Sequence, residues 1–66
     1  MFAAKVEGQN VKLFDVKTGG LKRTIGCSGF KGAKSADVDG DLVSISCGDG
    51  KVRVFNINTG GLIRTF

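Results

Sequence analysis

The apolar residues of this chain come in short, β-branched runs, and Gly, Asp and Asn break the chain between them. Leu42 to Cys47 ("LVSISC") and Lys51 to Asn56 ("KVRVFN") are two such runs, separated by Gly48-Asp49-Gly50. A Gly- and Asp-rich break of this kind predicts a tight hairpin turn. Leu62 to Phe66 ("LIRTF") follows after "INTGG", another Gly-containing turn. Lys34 to Val38 ("KSADV") reads as a weaker strand that turns at "DGD". Phe2 to Val6, Val11 to Asp15 and Leu21 to Ile25 supply the remaining strands. No stretch shows helical periodicity with caps, so the pattern predicts an all-β chain of seven antiparallel strands and almost no helix.

Part of the pattern occurs twice. "VKLFDVKTGGLKRTI" (Val11 to Ile25) returns 41 residues later as "VRVFNINTGGLIRTF" (Val52 to Phe66), with eight of fifteen positions identical. A period of roughly 40–45 residues is that of a four-stranded propeller blade. Residues 26–66 then form a complete four-stranded blade, and residues 1–25 the last three strands of the blade before it. At four strands per blade the chain holds about 1.75 blades.

A blade packs both of its faces on neighbouring blades. The strands "VRVF" and "LIRTF" carry apolar groups on both faces, unlike a sheet with one wet face. A chain of 66 residues buries only about 60% of its unfolded surface, and repeats of this type need about three or more copies for stability. The expectation is therefore a β-propeller assembled by oligomerisation, with the chain itself as its partner. Closed cyclic rings are the usual form of homo-oligomers. Three chains would give a six-bladed ring and four an eight-bladed one. The homotrimer is favoured over the tetramer as the smaller closure.

The second unit resembles a blade of the WD-repeat family. Gly26-Cys27-Ser28-Gly29 stands where that family opens with Gly-His, Asp39-Gly40 makes its first turn, and Asp49-Gly50 its second. Phe55-Asn56 takes the place of the Trp-Asp pair, as Phe14-Asp15 does in the first unit. Thr59-Gly60 and Thr18-Gly19 complete the match. The resemblance implies a structural blade motif at Phe14, Asp15, Gly19, Asp49, Gly50, Phe55, Asn56 and Gly60. The family's His is Cys27 here and Trp is absent, so its usual buried hydrogen-bond network has no counterpart, and packing of Phe14 and Phe55 must serve instead.

The chain is also similar to integrin-like calcium-binding propeller repeats. "FKGAKSADVDGD" (Phe30 to Asp41) resembles their Asp-rich loop, and Asp37, Asp39 and Asp41 offer the oxygen ligands that Ca²⁺ takes. Leu42 stands where Gly is expected and Ile45 where a further acid is usual. Two readings follow, a Ca²⁺ site at these three residues or a metal-free turn, and the departures favour the turn.

Net charge is +4, but the basic residues are scattered rather than gathered into an arm. A weak positive field could draw an anionic partner. An alternative function is therefore a ligand-binding propeller for a glycan or anion, with charge from Lys31, Lys34, Arg23 and Arg64. No aromatic stacking platform accompanies these residues, so nucleic acid is not an expected partner. The apolar runs are too short to span a membrane, and Met1 to Gln9 has no leader pattern, which makes the cytoplasm the default location. Two cysteines and no histidine leave no nucleophile with a base beside it. Cys27 and Cys47 read as small, reduced packing residues. The function expected is a non-catalytic, self-assembling scaffold or protein-interaction module with no cofactor, whose protein partner the residues do not identify.

Overall fold

In a computed structural model the chain forms two antiparallel sheets. The first contains β1 (Phe2–Glu7), β2 (Asn10–Asp15) and β3 (Leu21–Gly26), in that order. The second contains β4 (Ala33–Asp39), β5 (Leu42–Cys47), β6 (Val52–Asn56) and β7 (Leu62–Thr65), also in chain order. Each strand thus pairs with its neighbour in sequence, the cheapest topology in loop length. Between the sheets lies one turn of 3-10 helix, Ser28–Phe30, which ends at Lys31 in a left-handed conformation. No helix is long and apolar enough to cross a membrane.

The turns explain why the strands stop where they do. β1 pairs with β2 up to Glu7 opposite Asn10, leaving the two-residue loop Gly8-Gln9. β4 pairs with β5 up to Asp39 opposite Leu42, leaving Gly40-Asp41. In both, the first loop residue is glycine with positive φ (58° and 60°), as a Gly-X hairpin requires. The β5–β6 hairpin has three loop residues, Gly48-Asp49-Gly50, with Gly50 at φ 87°. This extra residue shifts β5 by one position against β1, although β2 and β6 still match 41 apart.

The sheets meet face to face, with β1 and β2 against β4. The core between them is Val11, Leu13, Ile25 and Cys27 from one side, and Val43, Ile45, Cys47, Phe55 and Ile57 from the other. Phe2, Ala4, Val6, Ala36 and Val38 pack around it. Burying a side chain such as Leu13 or Ile57 completely stabilises the fold by about 1.5–3 kcal/mol. Among buried residues only Arg53 is charged.

Candidate functional site

The duplicated phrase meets two different environments. In β2, Val11 and Leu13 are buried, while Phe14 is half-buried and Val16, just beyond the strand, is exposed. In β6 the buried positions are Arg53, Phe55 and Ile57, with Val52 and Val54 half-buried. Ile57 is fully buried, yet its counterpart Val16 is 54% exposed. Ile25 is 7% exposed, yet its counterpart Phe66 is 69% exposed. Successive strand residues point to opposite faces, so the two copies bury opposite faces of one pattern. Each sheet is covered on one side only, and the uncovered side of one has the repeat positions that the other buries.

One side chain ties the faces together across the gap. Arg23 projects from β3 and donates through Nε to the carbonyl of Ile57 and through a terminal nitrogen to that of Asn58, both at 2.9 Å. A Cβ at Gly60 would run into this guanidinium. Glycine at that position therefore serves both the turn, where φ is 77°, and the approach of Arg23. The counterpart Arg64 is exposed.

The turn between β6 and β7 that receives Arg23 is built twice. Asp15 accepts the backbone N–H of Lys17 at 2.8 Å, and Asn56 accepts that of Asn58 at 2.8 Å. Thr18 Oγ1 accepts the N–H of Gly20 at 3.1 Å, and Thr59 Oγ1 that of Gly61 at 3.2 Å. The N–H of Gly19 donates to the Asp15 carbonyl and that of Gly60 to the Asn56 carbonyl, both at 2.7 Å. Gly19 sits at φ 73°. Short polar side chains that bond their own backbone two residues on are turn formers, so Asp15, Asn56, Gly19 and Gly60 hold a loop in shape rather than line a cavity. No pocket opens on the surface.

A second cluster surrounds Arg53 beneath the 3-10 turn. Its two terminal nitrogens donate to the two carboxylate oxygens of Asp49 at 3.2 and 2.9 Å, a bidentate pairing suited to the planar guanidinium. The guanidinium carbon lies 3.7 Å from the ring centroid of Phe30, well inside cation–π range. Backbone bonds join the same parts: Asp49 N–H to the Phe30 carbonyl, and Gly48 N–H to the Gly32 carbonyl. The bonds from Arg53, and then the Lys51 N–H, hold the Asp49 carboxyl below its usual value. Asp49 in turn raises Arg53. Burial pushes the neighbouring Cys27 thiol up, and Cys47 adds to the effect. Both cysteines are buried free thiols. No buried side-chain nitrogen or oxygen lacks a hydrogen bond, which is the condition for tolerating the buried charge of Arg53, whose partner Asp49 stays at the surface.

The remaining residues singled out in the sequence fall in three places. Phe55 belongs to the core, whereas Phe14 lies half-buried on the outer side of β2. Gly50 supplies the left-handed residue of the Asp49 turn. Asp37, Asp39 and Asp41 do not converge, and no group of three acidic or cysteine side chains is placed to hold a metal ion. The reason is local. Asp37 and Asp39 are two residues apart on β4, about 7 Å along a strand, and Asp41 lies in the two-residue turn that follows.

No protein family, curated protein or solved structure matches this chain.

Proposed function

We propose that the chain is a non-catalytic, self-assembling β-propeller module. Each sheet acts as a blade, and further copies close a ring that serves as a structural or protein-interaction scaffold. The observation that carries this reading is the opposite-sided burial of one repeated phrase, because it leaves two blade faces unfilled. Leu62, Ile63 and Phe66 are more than half exposed on or beside β7, as is Val16 on the first sheet, and apolar surface of this kind is where association begins. A six-bladed homotrimer is the favoured ring, a smaller closure than the eight-bladed tetramer, and both lie within the usual four to eight blades.

Light scattering after size-exclusion chromatography tests the reading. A mass about three times the 6.9 kDa of one chain is expected. A folded monomer at every concentration would overturn it.

A further inference from the structure

We propose that Arg64 of one copy docks on the Val16–Lys17 turn of a second copy, repeating between chains the contact that Arg23 makes within one. This rests on the assembly reading above and specifies its interface.

The contact inside the chain supplies the template. Arg23 reaches the carbonyls of Ile57 and Asn58. Shifting by the 41-residue repeat turns Arg23 into Arg64, and Ile57 and Asn58 into Val16 and Lys17. The donor copy is present and exposed. The acceptor copy is built: the turn after Asp15 has the same side-chain and backbone bonds as the turn after Asn56. Gly19 leaves open the space beside it that Gly60 leaves for Arg23, with no atom within 4 Å of a Cβ there. One face alone cannot make the contact, because donor and acceptor lie on different sheets. The union is therefore head to tail, and each copy uses both faces.

Charge adds little to this pairing. Asp37 and Asp39 lie opposite or beside Ser44 on the uncovered side of the second sheet, since Val38 and Ala36 face inward. Lys5 and Lys12 are cross-strand partners on the uncovered side of the first sheet, since Ala4 and Leu13 face inward, and Glu7 on the same side bridges both, at 3.9 and 3.4 Å. With Glu7 offsetting the lysines and Arg64 sharing the acidic face opposite Val54, the two open faces differ only weakly in charge, and the repeated arginine-to-turn geometry sets the orientation.

Cross-linking between differently marked copies tests the interface. Lys17 and Thr65 are both exposed, so Lys17→Cys and Thr65→Cys leave the core intact and keep both Arg64 and the Lys17 carbonyl. Mixing the two variants and adding a short bis-maleimide should link one of each, while either variant alone should stay unlinked. The intramolecular pair Thr24→Cys with Asn58→Cys, at the same two repeat positions within one chain, calibrates the reach of the reagent. Arg64→Ala should weaken association by about tenfold or more, as expected for losing charge-assisted hydrogen bonds. If wild type is oligomeric but the mixture does not cross-link, or Lys17→Cys links to itself, the interface is wrong and assembly stands. If wild type is a monomer throughout, the assembly reading fails and this interface with it.

Discussion

Arg53 holds Asp49 by two hydrogen bonds along the edge of its guanidinium, across a three-residue turn, while the flat face lies over the ring of Phe30. The pair thereby joins the β5–β6 hairpin to the segment that links the sheets. A charge 9% exposed would be costly without both partners.

The pair sets an acid limit on stability. Because the folded carboxyl of Asp49 titrates below its unfolded value, the unfolded chain binds the extra proton first. The contribution is present above the ordinary aspartate value of about 3.9 and is lost as pH falls through the lower folded value. Thermal melts should show wild type well above Asp49→Asn at neutral pH, with the gap closing below about pH 4. An equal gap at all pH values would show that the carboxylate charge is not what stabilises the turn.

Repeat equivalents should respond unequally to truncation. Ile57→Ala empties a fully buried position and should cost about 2–5 kcal/mol in urea unfolding. Val16→Ala, at the exposed counterpart, should cost less than about 0.5 kcal/mol in dilute solution. At high concentration its cost should rise if Val16 becomes covered. Equal losses under dilute conditions would contradict the one-sided burial.

Two glycines make a paired test of backbone crowding. A Cβ at Gly48 would overlap the Lys31 carbonyl, which is main chain and does not yield cheaply. Gly48→Ala should destabilise by about 1–3 kcal/mol. Gly29→Ala meets nothing within 4 Å and should be nearly neutral. Denaturant midpoints for the two variants distinguish local overlap from a general intolerance of the linking segment.

Thiol chemistry should report on opening of the core. Cys27 and Cys47 are buried, and burial raises Cys27 further from the reactive thiolate. Alkylation at about pH 8 should be slow in the folded chain and fast in denaturant. Rapid labelling without denaturant would place at least one thiol at the surface.

Calcium should leave the melting temperature unchanged at roughly millimolar concentration, the range of weak extracellular sites, because Asp37, Asp39 and Asp41 do not converge. A rise on adding Ca²⁺, reversed by chelation, would require a rearranged β4–β5 turn.

The strands were legible in the sequence because β-branched runs and Gly-containing turns alternate, and both act locally. Leu42–Cys47 is read to the residue, and the other six strands to within one residue at each end. The 3-10 turn at Ser28–Phe30 was not legible, since a Gly-rich segment carries no periodic signal. Asp49 was visible only as a turn residue. Its partner Arg53 sits among strand valines, and an i to i+4 pairing across a hairpin loop has no signature of its own. Phe30 joins them only through tertiary packing. The reversal of burial between copies was equally hidden, because identical residues cannot announce which neighbour each copy will meet.

The twin turns after Asp15 and Asn56 also bear on how the chain folds. Their side-chain bonds span two or three residues, so each can form before any distant part of the chain arrives. Every strand pairing is likewise between neighbours, and hairpins close in about 1–10 μs. The contacts of Arg23 with Ile57 and Asn58 span 34 and 35 residues, so loop-closure entropy places them after the hairpins. A mutation in either turn should retard hairpin closure, whereas one at Arg23 should chiefly hasten separation of the sheets.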